Sequence, residues 1–310
     1  MIKVLLRPLM ICIPFALGIC FPAAHVLAGP PWNAIRYTLM VMVFNSCLQI
    51  RLTELRVRRE HLLLAAANLL MGVVPWGLCL LCFPDRTFLA LTCFFVGIAP
   101  TAAAAPVVVS FLRGRTGFAL TGFAFDTCCI ALSLPVLLPL AAGEFTADFV
   151  WRVGDMLFWV LLVPFLAAML IRRLWPGVPA FAKRIRLFVF SLWSCMLFVL
   201  AALARRYFID HPETPAATAL LIAGISLGFC AVNFGLGRLL GPKRTRRECS
   251  QLLGQKNTSL AIYLALQFAG PLPALGPVFY ILWHNLWNAY QMYVCDRRRM
   301  RRARRNAATT

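Results

Sequence analysis

Lys256 stands in the stretch LLGQKNTSLA (252–261), inside a segment that otherwise reads as apolar, and Asn257 and Thr258 follow it. A lysine at the centre of a bilayer costs about 2.5–3.5 kcal/mol on insertion scales, so one that is retained there is paired or functional. Asp126 is the only acid deep within an apolar run and is the partner that the sequence offers. A buried Lys–Asp pair can do three things: lock two helices together permanently, titrate as part of proton coupling, or release the lysine to bind an anion. All three remain open at this level.

The elements that must position these groups follow from composition. The chain has 310 residues, of which 61% are hydrophobic and 14% charged, with mean hydropathy +0.78 and a formal net charge of +20. About 20 residues cross a hydrocarbon core of roughly 30 Å, so the chain supplies on the order of ten spans with short loops. Spans are expected near 4–24, 34–50, 61–83, 88–112, 117–141, 149–171, 186–207, 216–240, 248–268 and 274–294. The first run carries Pro8 and Pro14 and continues too far for a signal peptide, so it counts as a span. On this layout 25 of the 31 Lys and Arg residues fall on one side and five on the other, and Lys256 is the one left over. The positive-inside rule then puts both termini in the cytoplasm, with a bacterial inner membrane as the expected location. The basic run RRRMRRARR (297–305) reads as a topology determinant lying against anionic lipid, and nucleic acid is not an expected partner.

Ten spans divide into halves of about 1–147 and 148–296, and an odd number of spans per half makes the halves inverted. The fourth span of the first half contains GIAPTAAAAP (97–106), and the fourth of the second half contains GQKNTSLA (254–261). Each Gly is followed by a helix-disrupting or capping residue at the third position, Pro100 or Asn257, and then by Thr101 or Thr258. The expected fold is therefore all-α and polytopic, with ten transmembrane helices in two inverted five-helix repeats and crossed, broken helices 4 and 9. Interrupted helices leave backbone groups that bind ions or polar substrate groups at the midplane.

The chain resembles the bile acid:sodium symporter family at three stretches: APTAAAAPVVVSFLRGR (99–115), LLGQKNTSLA, and ILWHNLWNAY (281–290). The resemblance implies a single transporter domain over 1–296, a short basic tail over 297–310, and alternating access to a site at the crossover. Pro100, Gly114, Gly254, Asn257, His284 and Asn285 stand where the family has the same residues. The positions of its sodium ligands carry Leu70, Ala105, Pro106, Ala119, Phe123, Leu252 and Lys256, a set with almost no oxygen. Sodium is therefore a doubtful partner and protons are the candidate replacement. Asp126 falls on the helix face that the family uses for sodium, since 119, 123 and 126 share one face.

Asn257 is expected to cap the second half-helix, and His284 and Asn285 to tie the tenth helix to the crossover or to line the cavity. Asn45, Gln49 and Asn68 read as packing contacts between spans. Twelve cysteines are scattered through the spans, and no metal or other cofactor is expected. No catalytic motif is present, so the chain is not expected to be an enzyme. The function expected is secondary transport of a small organic anion, and the alternative is a non-transporting sensor or binding protein on the same scaffold.

Overall fold

A computed structural model describes residues 13–31, 33–49, 55–175, 177–212 and 214–307, with no account of the side chains at 183, 186, 296 and 298–307. The described residues are helical throughout apart from connections. They form α1 (13–20), α2 (Ala34–Cys47), α3 (Arg59–Cys82), α4 (Thr87–Ile98), α5 (Ala105–Phe111), α6 (Thr116–Ala142) and α7 (Ala147–Leu174). The chain continues through α8 (Val178–Arg184), α9 (Arg186–Asp210), α10 (Ala216–Leu240), α11 (Arg246–Gly254), α12 (Thr258–Phe268) and α13 (Pro271–Ala307).

Five of these are long and apolar enough to cross a membrane, namely α3, α6, α7, α10 and the Leu187–Asp210 part of α9. Their outer faces carry large apolar side chains with nothing to cover them: Leu81, Leu132 and Leu239 are each 81% exposed. Helices this apolar on the outside are solvated by lipid, and the chain is an integral membrane protein.

Three expectations need adjustment. The first half of the expected first span, with Lys3 and Arg7, lies outside the described residues; beyond it, α1 gives way to a 3-10 turn over Pro22–Ala28. The second span is a helix of only 14 residues. The helix of the last span does not stop near 294 but runs on to Ala307, because the arginine-rich run contains no Gly or Pro to end it.

The main core gathers Ile35 and Leu39 of α2, Phe94 and Phe95 of α4, Ile130 and Leu134 of α6, and matching residues of α7, α9, α12 and α13. A smaller cluster joins Leu64 of α3, Phe118 of α6 and Leu252 of α11. The two interrupted helices are shared between these clusters, α4 and α12 packing in the main core and α5 and α11 in the smaller one.

Candidate functional site

The two interruptions form for local reasons. Ala99 precedes Pro100, and a residue before proline is pushed out of the helical region; Ala99 takes ψ 127° and α4 ends at Ile98. The chain resumes as a helix only at Ala105, with Pro106 in its first turn, where a missing N–H is harmless. In the second interruption α11 stops at Gly254 and Asn257 starts α12, its Oδ1 accepting the Leu260 N–H at 3.3 Å. That is the capping role expected of Asn257.

The two breaks meet. Thr101 and Lys256 pair as an isolated antiparallel bridge. The Ala102 N–H donates to Gln255 O at 2.7 Å, and the Asn257 N–H to Pro100 O at 2.6 Å. Each break thus satisfies backbone groups that the other leaves open, which a low-dielectric interior requires.

Asp126, 5% exposed, sits against this crossing. Its carboxyl accepts the Thr101 N–H at 2.6 Å and the Asn68 Nδ2 amide at 2.9 and 3.1 Å. Lys256 is 1% exposed, and its Nζ donates to Gly97 O at 2.9 Å and to Asn68 Oδ1. Asp126 and Lys256 therefore do not touch, which corrects the direct pair expected from sequence. Asn68 stands between them, so it is the link between the two charges and not merely a packing contact. The charges fix its orientation, because the reverse would set its NH2 against the lysine and its oxygen against the carboxylate.

Thr101 adds a constraint on protons. Its Oγ1 lies 2.8 Å from Asp126 Oδ2 and 2.7 Å from Leu252 O, two acceptors for one hydroxyl hydrogen. Both contacts are full hydrogen bonds only when Asp126 is a carboxylic acid that donates to Oγ1, leaving the hydroxyl to donate to Leu252 O. When Asp126 is ionised, the hydroxyl serves one or the other. Lys256, with two acceptors, is fully served as an amine and one short as an ammonium.

The other expected residues divide. Pro100 contributes its carbonyl, and Thr258 is buried at the start of α12. His284 is buried but reaches the crossover only through Tyr280: the rings meet edge to face at 5.5 Å, and the Tyr280 hydroxyl donates to Gly254 O at 2.9 Å. Asn285 is not brought to the site, since its Nδ2 donates to Ile281 O within its own helix. Asn233, whose Nδ2 donates to the Tyr280 hydroxyl, and Glu248 went unremarked in the sequence. Glu248 is buried, and its carboxylate accepts the Arg115 N–H at 2.7 Å, pinning the loop after α5 to the start of α11. A buried acid in the first turn of a helix expected within a span was the available signal for it.

A narrow cleft leads away from Asp126. His61 and Leu64 of α3, Gly122 of α6 and Leu252 of α11 line it, and it is too tight to admit a water molecule. Among the described residues, no group of three or more His, Cys, Asp or Glu side chains could hold a metal ion.

Apolar helices with two interruptions meeting at buried charges define a membrane transporter in class. The profile of the Sodium Bile acid symporter family matches residues 37–211, more than half of the chain, and the chain belongs to that family. The match takes in Asn68, Thr101 and Asp126 and ends before Lys256. No curated protein matches the chain.

Proposed function

We propose that the protein is a secondary transporter of a small organic anion that works by alternating access and couples to a proton in place of sodium. The observation that carries this reading is the Asp126–Asn68–Lys256 chain at the meeting of the two breaks. With Asp126 ionised and Lys256 charged, the site is neutral overall. Protonating Asp126 leaves it with one positive charge, the same change that binding one sodium ion would make. The Thr101 hydroxyl, with its two acceptors, is arranged to be fully satisfied in that protonated state. One proton with one monovalent anion then crosses without net charge, which avoids the cost of moving charge through the membrane.

The reading includes ten helices in two inverted repeats, both termini in the cytoplasm of a bacterial inner membrane, and anionic lipid beside the arginines of α13. It is supported by the matched breaks and by the charge asymmetry of the loops.

Uptake of a labelled bile acid and of smaller carboxylates into proteoliposomes, with sodium or proton gradients imposed separately, tests it. The expected result is stimulation by an inward proton gradient and indifference to sodium. Lys256→Gln is expected to change the pH profile. Uptake driven by sodium alone, or a Lys256→Gln variant with the wild-type pH profile, would overturn the assignment.

A further inference from the structure

The cleft beside Asp126 is built from two facing helix stripes. On α3, His61, Leu64 and Asn68 follow i, i+3, i+7 spacing and all three are buried. On α6, Phe118, Gly122 and Asp126 follow i, i+4, i+8 spacing and are likewise buried. At the charge-rich end His61 meets Phe118 in a tilted ring contact, with centroids 4.1 Å apart. At the other end Asn68 donates to Asp126. Seven residues separate His61 from Asn68, about 10 Å of helix. Between them the wall is a leucine facing a glycine. A side chain at Gly122 would collide with Leu252, so the missing Cβ is what lets Leu252 plug the middle of the cleft.

His61 is specific in its chemistry. Its Nδ1 accepts the Arg58 N–H at 3.1 Å, so in the neutral ring the hydrogen is on Nε2. That Nε2 is buried and makes no full hydrogen bond, although the Phe118 backbone lies within weak reach of the ring. An N–H buried with so poor a partner costs free energy that a well-paired structural histidine would avoid. The charges beside the ring are Arg58 and Glu60 at the start of its own helix; Asp126 lines the same cleft, and on α11 Cys249, with Glu248 beside it, packs in the cluster that holds Leu64 and Phe118.

We infer that the cleft is the route by which protons pass between the arginine-rich face and Asp126, with His61 as the relay at its mouth and Leu252 as the plug. The inference rests on the proton-coupled reading above. His61 takes a proton on Nδ1 from the loop side as that nitrogen releases the Arg58 N–H, and passes the Nε2 proton inward. Withdrawal of Leu252 with α11 admits the water that carries it to the carboxylate. The ring then returns by tautomer exchange or rotation, so each cycle moves one proton and leaves His61 neutral.

Infrared spectroscopy of the reconstituted protein after a pH jump tests this without knowledge of the substrate. The carboxylic-acid C=O band of Asp126, assigned by its loss in D126N, reports protonation. In wild type the band is expected to rise as pH falls. In H61Q, whose amide oxygen can still accept the Arg58 N–H, the final amplitude is expected to persist while the rise slows about tenfold or more. G122A, whose Cβ would take the space that Leu252 fills, is expected to loosen the plug and speed the rise, and it decides the matter if H61Q does not fold. Wild-type rates in either folded variant would overturn the relay and leave the coupling reading intact. A wild-type protein with no such band at any pH would overturn both.

Discussion

The two interruptions meet at one crossing but do different work. The first, between Ile98 and Ala105, is six residues of Ala, Pro and Thr and carries no charge. It offers backbone: the Gly97 carbonyl to Lys256, the Thr101 N–H to Asp126, and the Pro100 carbonyl to Asn257. The second, Gln255–Asn257, is three residues long and brings the cation and the helix cap. A sodium site built from both would need oxygen ligands on each side. Here the second break supplies an ammonium that reaches to the Gly97 carbonyl before the first, so the charge comes from one side of the crossing while the backbone bonds run both ways.

The sharpest way to break this comparison is to remove one charge. Asp126→Asn keeps the shape of the side chain and one of its two acceptor oxygens but leaves Lys256 buried without a counter-charge. Breaking a buried pair in this way costs about 3–5 kcal/mol. The unfolding midpoint in detergent or lipid is expected to fall strongly in Asp126→Asn and to recover largely in the double variant Asp126→Asn/Lys256→Gln. The coupling of the two substitutions measures the interaction that Asn68 transmits. A single variant as stable as wild type would mean that Lys256 is already neutral in the resting protein.

How far the sequence foretold this arrangement depended on the kind of signal. Both breaks were legible because Pro100 and Asn257 disrupt or cap a helix whatever surrounds them. The cap on α12 was legible for the same local reason. Burial of Asp126 and Lys256 followed from their isolation in apolar runs. Their separation by Asn68 did not, because an asparagine in a span has many possible interhelical partners and only the third dimension selects one. The same limit hid Tyr280 and Asn233: an aromatic hydroxyl on α13 gives no sign in one dimension that it will meet the Gly254 carbonyl. Asn285 shows the opposite error, since a family-like motif placed it near the site while its amide satisfies itself one turn back.

A smaller effect separates the two glycines that precede the breaks. A Cβ at Gly97 would overlap the Met71 carbonyl and come within 2.7 Å of Gly72 Cα, both backbone atoms of α3. Gly97→Ala must therefore push α4 away from α3 and shift the carbonyl that Lys256 uses. A cost of about 1–3 kcal/mol is expected, together with loss of transport. The atoms nearest a Cβ at Gly254 belong to the Phe234 ring, a side chain and not backbone. Gly254→Ala is expected to lower the unfolding midpoint less than Gly97→Ala does. Equal effects would show that the two breaks are held with the same rigidity, against the division of roles described above.

The mildest test concerns the cap. Asn257 holds the first turn of α12 through one side-chain bond, whereas Ala104 at the start of α5 has no capping side chain and Pro106 does part of that work by fixing the backbone. Asn257→Ala is expected to cost about 1 kcal/mol, and Asn257→Asp or Asn257→Ser much less. The neighbouring Asn257 N–H bond to Pro100 O is a backbone bond and survives all three substitutions. If the cap only starts a helix, stability changes while the pH dependence of uptake does not. A shift of the pH profile in Asn257→Ala with the unfolding midpoint unchanged would instead show that the side chain acts on the Lys256 site, making the second break the seat of coupling as well as of charge.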